Sequence, residues 1–372
     1  MIKIIPVEDK KSLKAFIDFP HSLYKDDKNY VPELFLAQKD LLSHKHPFHS
    51  HSKAKYFLAY EGSEVVGRIA GILNNNYNQF TNTNAGFFGF FDTINDSVVV
   101  DLLLQEVKTW LSQFKVNTLL GPCNFSTNET CATLIENFDE PPFAMMPYNF
   151  PYYNTLLENA GFVKNVDLLA YRFDENSYNE KAVRLKSAFE KRLASKNIIV
   201  RPIDKRRFAE EVDKVSEVYN QAWDKNLGFV PMTKDEFRHM AKDLKQVLDP
   251  QYCLVAEHEG RIIGFGLAIP NINEILINIK RGRLFPTGIF KLLLGLKKIR
   301  SVRIIALGVL EEYRKMGVEA CFYASMMERF KELKMKTAEA SWILENNQQM
   351  CMALENMNAR VYKKYRIYEK SI

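Results

Sequence analysis

The sequence has no apolar run that approaches 18 residues, so we expect no transmembrane helix. We also expect no signal peptide, because the opening residues MIKIIPVEDKKSLKAF carry charges where such a peptide needs an apolar core. Five cysteines are scattered along the chain without a Cys-x-x-Cys pair, a pattern that predicts free thiols in a reducing compartment. These absences together predict a cytoplasmic protein.

The sequence also lacks a strong excess of positive or negative residues. The 51 Lys and Arg residues and the 45 Asp and Glu residues leave a net charge of +6. Nucleic-acid-binding domains concentrate basic residues on one face, so this mild balance does not predict a nucleic-acid partner. The hydrophobic fraction of 47% is ordinary for a globular protein. A length of 372 residues suits two domains of about 100–200 residues each.

Three separated segments of the sequence recur at a nearly constant offset. IKIIPVEDKKSL resembles IIVRPIDKRRF, YFLAYEGSEVVGRIAGI resembles YCLVAEHEGRIIGFGLAI, and LENAGF resembles LENMNA. Short matches arise by chance, but chance does not hold one offset of 196 or 197 residues across three segments, so we infer two structural copies. The paired residues are Pro6 and Pro202, Tyr56 and Tyr252, Gly67 and Gly264, and Glu158 and Glu355.

The repeat predicts a first domain over residues 1–173 and a second over residues 197–372. Between them, residues 174–196 are predicted to form a connecting helix, because apolar side chains recur there at near-helical spacing. Each copy shows strand patterns interleaved with helix patterns, which favours a mixed sheet flanked by helices.

The second copy contains a strand, a short loop and a helix in the sequence IIALGVLEEYRKMGVEACFYASMMERF, residues 304–330. A loop of this kind turns successive backbone N–H groups toward an anion, and the following helix N-terminus adds positive partial charge. Arg314 and Lys315 supply formal charge, and Gly317 allows the backbone to approach closely. The segment predicts a binding site for a pyrophosphate.

The same segment resembles the GNAT N-acetyltransferase superfamily, whose members bind the pyrophosphate of coenzyme A with the motif Q/R-x-x-G-x-G/A. Here the motif reads Arg314-Lys-Met-Gly317-Val-Glu319, with Glu319 in the place of Gly or Ala. The resemblance covers nearly the whole chain. It implies an α/β fold of two tandem GNAT-like domains, each with a mixed, mostly antiparallel sheet, and acetyl-CoA or another acyl-CoA as co-substrate. The cofactor-binding positions that it implies are Leu307, Gly308, Val309, Arg314, Lys315, Met316, Gly317, Val318 and Asn346.

A second GNAT signature is an Asn followed by a helix that ends in Tyr-Glu-x-x-Gly-Phe. Asn149 with LENAGF from Leu157 matches it in the first copy, and Asn346 with LENMNA from Leu354 matches it more weakly in the second. The family's tyrosine, often the acid that protonates the departing thiolate, is therefore leucine in both copies. The usual acid is missing.

Other side chains are candidates for the proton transfers. Glu345 is predicted to be the base that deprotonates the amine, with Glu339 on the preceding strand as the alternative. Tyr365 on the last strand is the candidate acid, with Tyr362 and Tyr368 as alternatives. Either glutamate could instead belong to a solvated strand edge.

The first copy lacks the phosphate-binding residues at the matching position. After the strand GFFGFFD it reads Thr93-Ile-Asn-Asp96-Ser97, which together with Asp92 places two carboxylates and no cation beside a would-be diphosphate. Repulsion predicts that this copy does not bind coenzyme A. Asp96 or Ser97 is expected to be the N-cap of the following helix.

Two polar segments are candidates for the substrate groove. In the second copy Asn220, Trp223 and Asn226 close the first helix, where GNAT-like folds line the acceptor groove, although Trp223 could equally lie in the core. In the first copy Asn124 and Ser126 follow a buried strand, and open α/β sheets hold ligands at strand ends. A structural Asn/Ser turn is the alternative there.

Two further segments have an unusual composition. HKHPFHSH holds four of the seven histidines, but no Cys or carboxylate joins them and Pro47 breaks any helical face, so we predict an exposed loop and no metal site. FPTGIFKLLLGLKKIRSVR, residues 285–303, is predicted to be an apolar helix with a basic end. It could pack against the other domain, hold an acyl chain or contact a membrane surface.

The sequence therefore predicts an acyl-CoA-dependent N-acyltransferase that moves an acetyl or longer acyl group to the amine of a small molecule or peptide. Backbone N–H groups over residues 307–309 would polarise the thioester carbonyl. Two alternatives stay open. One is an aminoacyl transferase resembling the Fem family, which also pairs two GNAT-like domains. The other is a non-catalytic binding protein on the same scaffold, which Glu319 and the missing tyrosine favour.

Overall fold

A computed structural model describes residues 1–174, 177, 180–224 and 228–372. Their packing divides the chain into two units, each assembled from separate stretches of sequence. The N-terminal unit consists of Met1–Leu168, Asn273–Lys297 and Lys363–Ile372, and the C-terminal unit consists of Leu169–Ile272 and Lys298–Tyr362. Each unit therefore contains chain from both halves of the sequence.

Strands and helices alternate along both halves of the chain, as the apolar patterns predict. The first half contains β1 (Ile2–Pro6), α1 (Lys10–Leu23), α2 (Phe35–Leu41), β2 (Lys53–Glu61), β3 (Glu64–Leu73), α3 (Asn75–Thr81), β4 (Ala85–Thr93), α4 (Ser97–Leu111), β5 (Thr118–Gly121), β6 (Thr133–Glu136), α5 (Tyr152–Asn159) and β7 (Val163–Asp174). The second half contains α6 (Glu180–Ala194), β8 (Ile198–Pro202), α7 (Phe208–Ala222), α8 (Lys234–Leu244), β9 (Cys253–His258), β10 (Arg261–Pro270), α9 (Asn273–Leu276), α10 (Gly288–Gly295), β11 (Ser301–Val309), α11 (Val318–Glu332), β12 (Thr337–Leu344), α12 (Gln348–Asn356) and β13 (Arg360–Ser371).

The sheet of the N-terminal unit has the strand order β1-β2-β3-β4-β5-β13, and β6 also pairs with β13. Strands β1 to β4 are joined antiparallel, whereas β4 and β5 run parallel. β13 completes the order by antiparallel pairing that sets Tyr368 opposite Gly121. The sheet is therefore mixed and mostly antiparallel, as expected.

The sheet of the C-terminal unit has the strand order β8-β9-β10-β11-β12-β7. Strands β8 to β11 are joined antiparallel, whereas β11 and β12 run parallel. The two units thus share one order over five strands, which confirms the duplication inferred from the repeat. Gly67 lies opposite Thr93 and Gly264 lies opposite Val309, so the two glycines occupy equivalent places.

The sixth strand of each unit comes from the other half of the sequence. β7 ends the first copy but lies beside β12, and β13 ends the second copy but lies beside β5. The segment Asn273–Lys297 likewise belongs to the N-terminal unit, and the connecting helix α6 lies within the C-terminal unit. The units therefore do not coincide with residues 1–173, 174–196 and 197–372. The sequence repeat shows where each copy begins and ends. It does not show that β7 and β13 are exchanged between the units, because that exchange depends on pairing between strands far apart in the sequence.

The helix predicted over residues 285–303 is shorter in the structure. α10 covers only Gly288–Gly295, a 3-10 turn follows, and β11 begins at Ser301. Pro286 disfavours a helical conformation at the residue before it. Glycine inside a helix costs about 1 kcal/mol relative to alanine, and the β-branched residues that follow favour a strand.

Each unit has its own apolar core. In the N-terminal unit α4 packs on β3, where a Cβ at Gly67 would lie 2.9 Å from the side chains of Val99 and Leu103. In the C-terminal unit α11 covers one face of β10, where a Cβ at Gly266 would lie 2.9 Å from Met326. The five cysteines are free, as predicted. Among the described residues, no helix is long and apolar enough to cross a membrane.

Candidate functional site

The parallel strands β11 and β12 separate part-way along their length. Their pairing begins at Ser301 with Thr337 and ends at Ile304 with Ala340, although β11 continues to Val309. A β-bulge lies at the start of the unpaired stretch. At about 3.3 Å per residue, the five residues beyond the pairing leave roughly 16 Å of open strand edge.

Backbone N–H groups of β11 face this open edge. The N–H of Leu310 donates to the carbonyl oxygen of Ile263 at 2.9 Å, on the side of β10. Because antiparallel strands alternate the direction of their N–H groups, those of Leu307 and Val309 point away from β10 and toward the open edge. Either donor can bind a carbonyl oxygen as it gains negative charge.

The chain after β11 forms the predicted loop and helix start. Lys315 and Gly317 have left-handed φ values of 63° and 104°. No described side chain caps α11, which begins at Val318, so its first N–H groups have no partner within the helix. With the positive partial charge of the helix N-terminus, these groups form a site for an anion.

Arg314 fixes this loop to the rest of the unit. Its Nε donates to the carbonyl oxygen of Val309, and a terminal nitrogen donates to that of Ala222, both at 3.1 Å. These bonds use two of the five guanidinium donors, and the residue is exposed, so further donors are available to an anion. Arg314 therefore holds the end of β11 in place, a role that the sequence does not predict.

Trp223 packs against β11 from the end of α7. A Cβ at Gly308 would lie 2.4 Å from the indole ring, so only glycine fits beneath it. The ring centroids of Tyr219 and Phe265 lie 5.0 and 5.5 Å from that of Trp223. The indole is half-buried, so it combines a core contact with an exposed part beside the strand that carries the open edge.

The loop after α7, predicted to line the acceptor groove, is closed by Asn220. Its Nδ2 donates to the carbonyl oxygen of Met232 at 2.9 Å, and its Oδ1 accepts from the N–H of Met232 at 3.0 Å. These two bonds join the ends of the loop. Asn226 lies outside the residues that the structure describes.

A buried polar cluster lies at the base of the open edge. Arg303 on β11 and Glu339 on β12 have side chains that are 3% and 0% exposed, with 3.6 Å between Nε and Oε1. The hydroxyl of Ser341 donates to Glu339 at 2.6 Å and accepts from Arg303 at 2.9 Å, and the hydroxyl of Tyr362 donates to the other carboxylate oxygen. Arg303 is not among the residues predicted from the sequence, although its charge inside the apolar strand SVRIIALGV is a signal.

The structure places the other predicted catalytic residues elsewhere. Glu345 and Asn346 are exposed in the turn after β12, and the neighbouring Asn347 caps α12. Tyr365 is fully buried in the N-terminal unit, where it lies opposite Leu134 on β6. The roles of Glu345 as base and Tyr365 as acid stay predictions.

A small apolar pocket of about 50 Å³ opens on the α11 side of the same strands. Ile304 and Val302 on β11 and Ala338 on β12 line it, so the pocket starts where the open edge ends. Side chains of α11 line the opposite wall: Tyr323, Met326, Met327 and Phe330. The loop, the open edge and the pocket therefore follow one another along β11.

Burial keeps the thiol of Cys321 and the hydroxyl of Tyr323 on α11 neutral. It raises the pKa of the Cys321 thiol to about 11, and it raises the pKa of Tyr323 to about 12 with a further contribution from Glu319. Leu354, at the position of the usual GNAT tyrosine, is 1% exposed in the core. The open edge therefore offers backbone N–H groups, and the buried Arg303–Glu339 cluster lies at its base.

Comparison with known proteins identifies the family. No family model matches the chain. Protein YghO of Escherichia coli (strain K12) is 35% identical over 370 residues, which is 98% of this chain and 94% of that protein. The bacterial ceramide synthase of Caulobacter vibrioides is 33% identical over 379 aligned positions, covering 100% of this chain and 98% of that protein. The chain belongs to their family.

The fold of this family member is that of a tandem GNAT protein. A tandem GNAT protein from the clavulanic acid biosynthesis pathway superposes with a TM-score of 0.60 at 11% identity, covering 100% of this chain and 98% of that one. The GNAT resemblance and the two-domain α/β fold predicted from the repeat and the motifs are therefore confirmed.

In the N-terminal GNAT unit the equivalent edge of β4 is filled by the unit's own chain. β4 and β5 separate after three paired residues. Beyond that point the N–H of Cys123 donates to the carbonyl oxygen of Phe88, and the Oδ1 of Asn124 accepts from the N–H of Phe90, both at 2.7 Å. A Cβ at Gly89 would lie 2.1 Å from the Cys123 oxygen. Asn124, predicted to contact substrate, binds the strand itself.

Other polar groups near this edge are also satisfied within the GNAT unit. The N–H of Thr93 donates to the hydroxyl of Tyr153 at 3.0 Å. Ser126 is buried, and its hydroxyl accepts from the N–H of Asn128 at 3.1 Å. Ser126 therefore has the contacts of a structural turn, the alternative that the sequence left open.

The electrostatic argument made from Asp92 is wrong, because its charge is compensated. The Nε of Arg68 lies 2.7 Å from Asp92, and both side chains are almost buried. Asp96 caps α4 as predicted, by accepting from the N–H of Val98 at 2.8 Å. In this GNAT unit the chain itself fills the edge of β4. The absence of a coenzyme site in this copy stays a prediction.

The histidine-rich segment is partly buried, so the prediction of an exposed loop is wrong. Phe48 stacks on Phe125 with 4.3 Å between ring centroids, and His46 is only 7% exposed. Burial is the main cause that lowers the pKa of His49. The segment is buried because its one phenylalanine, Phe48, packs in the core, although most of its residues are polar.

Proposed function

We propose that this protein is an acyl-CoA-dependent N-acyltransferase whose C-terminal GNAT unit binds the acyl-CoA. The observation that carries the proposal is the open edge of β11, which leads directly into the anion-binding loop at Arg314 and Gly317. Coenzyme A thioesters suit both features, because they carry a carbonyl for the strand N–H groups and a pyrophosphate for the loop. The first copy would bind no coenzyme, since Asn124 and its neighbours occupy the equivalent edge.

The family suggests the substrate class. One relative bears the name bacterial ceramide synthase, and a ceramide is the amide of a fatty acid with a long-chain amino alcohol. In this proposal a fatty acyl group is transferred to the amine of such a long-chain molecule. The apolar pocket starts at Ile304, where the acyl chain would continue from the thioester, and its lining is almost wholly apolar.

The reaction would join an amine to the thioester carbonyl. The N–H group of Leu307 or that of Val309 would stabilise the oxygen as it becomes negative. As the C–N bond forms and the C–S bond breaks, the amine loses a proton to a base, for which Glu345 in the exposed turn after β12 is proposed, and the departing thiolate gains a proton from solvent. Tyr365 is not assigned the acid role, because it is fully buried in the N-terminal unit. The Arg303–Glu339 pair would hold β11 and β12 in position next to the reacting group.

A non-catalytic acyl-CoA-binding protein is the second candidate. The buried Leu354 at the position of the usual acid favours it. This candidate and the enzyme share coenzyme binding but differ in turnover, so release of free coenzyme A in the presence of a long-chain amine separates them.

Calorimetric titration with coenzyme A is expected to give one site per chain, and Arg314→Ala is expected to weaken binding. A charge-assisted hydrogen bond contributes about 1.5–3 kcal/mol, so the loss corresponds to roughly ten- to a hundredfold in affinity. Arg238→Ala is the matched control, because Arg238 makes two 2.7 Å bonds to Asp213 on the surface of the same unit. Two sites per chain, or equal affinity in both variants, would contradict the proposed site.

Ala338→Leu is expected to reduce turnover of palmitoyl-CoA relative to acetyl-CoA. The added carbon atoms would occupy the apolar pocket, which only a long acyl chain needs. At about 0.8 kcal/mol per displaced methylene, exclusion of two methylenes lowers the ratio roughly tenfold. The assay measures coenzyme A release with sphinganine as the amine. Ala209→Leu, at an exposed position of α7, is the control. An equal decline with both acyl-CoAs would argue against an acyl chain in this pocket.

A further inference from the structure

Four large apolar side chains are exposed together in the segment Asn273–Lys297. Phe285, Phe290, Leu293 and Leu294, here called the apolar patch, are 72%, 64%, 60% and 73% exposed. The other exposed large apolar residues of the described chain are scattered singly or in pairs. Single exposed apolar side chains are common on any protein, whereas a contiguous group marks a contact surface.

Helix α10 presents the patch because of its sequence spacing. Three patch residues fall on one helix face at the i, i+3 and i+4 positions. The other side of the helix carries glycines: a Cβ at Gly295 would lie 2.8 Å from Ile275, and a Cβ at Gly288 would lie 3.0 Å from Ile279. One side of α10 is therefore closely packed, and the apolar side remains exposed.

The segment that carries the patch is fixed to the N-terminal unit. A terminal nitrogen of Arg283 bonds both carboxylate oxygens of Asp18, at 2.7 and 2.9 Å, and the guanidinium lies 3.4 Å from the ring centroid of Phe35. Gly282 has a φ of 61°, and a Cβ there would lie 1.8 Å from the carbonyl oxygen of Glu33. Exposure of the patch is therefore a property of a well-anchored segment.

The sequence segment that carries the patch is basic. Between Glu274 and Glu311 the sequence contains no Asp or Glu. Within the same segment, Lys280, Lys291 and Lys297 are exposed. Apolar side chains flanked by lysines complement an anionic lipid surface, because the side chains enter the boundary between headgroups and acyl chains while the ammonium groups attract lipid phosphates.

We propose that the apolar patch docks this protein on membranes that contain anionic lipids. α10 would lie in the plane of the interface, since its 8 residues are too few to span a bilayer. Docking would bring the protein to the phase in which long-chain amines and fatty acyl groups concentrate. The membrane-docking proposal does not rest on the proposed reaction, because vesicle binding is measured without any turnover.

Co-sedimentation with lipid vesicles tests the proposal. The full chain is expected to bind phosphatidylethanolamine–phosphatidylglycerol vesicles about tenfold more tightly than phosphatidylcholine vesicles, and added salt should reduce the difference. The double variant Leu293→Ser, Leu294→Ser is expected to bind vesicles at least about tenfold more weakly. The reason is that it lacks two leucine side chains that would be buried in the lipid interface. Lys291→Gln should weaken binding to the anionic vesicles only.

Val98→Ser is the matched control, because Val98 is 56% exposed at the start of α4 in the same unit. It should bind vesicles like the wild type, and thermal unfolding should show that all variants are folded. The proposal is overturned if the double leucine variant binds normally or if the control loses binding equally. It is also overturned if sedimentation velocity shows that the leucine variant dissociates a dimer while vesicle binding is unchanged, since the patch would then join two copies of the chain.

Discussion

Gly317→Val is expected to lower the affinity for coenzyme A by about a hundredfold. A β-branched residue does not adopt the φ of 104° found at Gly317, and its Cβ would lie 3.2 Å from the ring of Phe189. The loop must then change its path, and the N–H groups at the start of α11 turn away from the pyrophosphate. Loss of two charge-assisted bonds at about 1.5 kcal/mol each corresponds to that factor. Calorimetric titration at fixed ionic strength measures it.

Gly260→Val separates this effect from the general cost of a strained glycine position. Gly260 has a φ of 81° in the hairpin between β9 and β10, and a Cβ there would meet no atom within 4 Å. Both variants should lose folding stability, but only Gly317→Val should lose coenzyme binding. Equal affinity in the two variants would mean that the loop does not hold the coenzyme.

Glu339→Ala is expected to lower the free energy of unfolding by about 3–5 kcal/mol. The substitution leaves the guanidinium of Arg303 buried without its carboxylate, and it removes the acceptor for Ser341 and Tyr362. Glu339→Gln should cost less, because the amide oxygen still accepts a hydrogen bond. Urea unfolding followed by tryptophan fluorescence measures the loss.

The double variant Arg303→Met, Glu339→Leu is the matched control. Replacement of a buried ion pair by apolar side chains of similar size is often close to neutral, so this variant should be more stable than Glu339→Ala. Additive losses would show that the two side chains do not act as a pair. If folded Glu339→Gln binds coenzyme A normally but has a lower kcat with an unchanged KM, the pair positions the reacting groups.

Structure built from neighbours in sequence could be predicted well. The apolar pattern predicts a strand over Thr337–Leu344, and the structure has β12 at that range. The phosphate loop is predicted for the same reason, because Arg314, the left-handed Gly317 and the start of α11 are adjacent along the chain. Because the repeated segments keep a nearly constant offset, the elements of the two copies follow one another in the same order. The repeat therefore also predicts the strand order that the two units share.

Features that depend on distant partners could not be predicted in this way. Arg303 and Glu339 each stand as a lone charge in an apolar strand, and only the parallel register of β11 and β12 shows that they compensate one another. Asn124 has the character of a ligand-binding residue after a strand, but its amide bonds the N–H of Phe90. The exchange of β7 and β13 has no local signal, because both strands have the same pattern as an unexchanged one.

Because β13 completes the sheet of the N-terminal unit, that sheet is complete only after the end of the chain has been synthesised. Thr118 on β5 pairs with Ser371 on β13, so the ribosome completes β5 long before it makes the partner strand. At about 5–20 residues per second, the nascent N-terminal unit waits roughly 10–50 s with β5 unpaired on that side. An open strand edge can pair with other chains during this interval. A chain that is truncated before β13 therefore lacks a strand in the unit that was translated first.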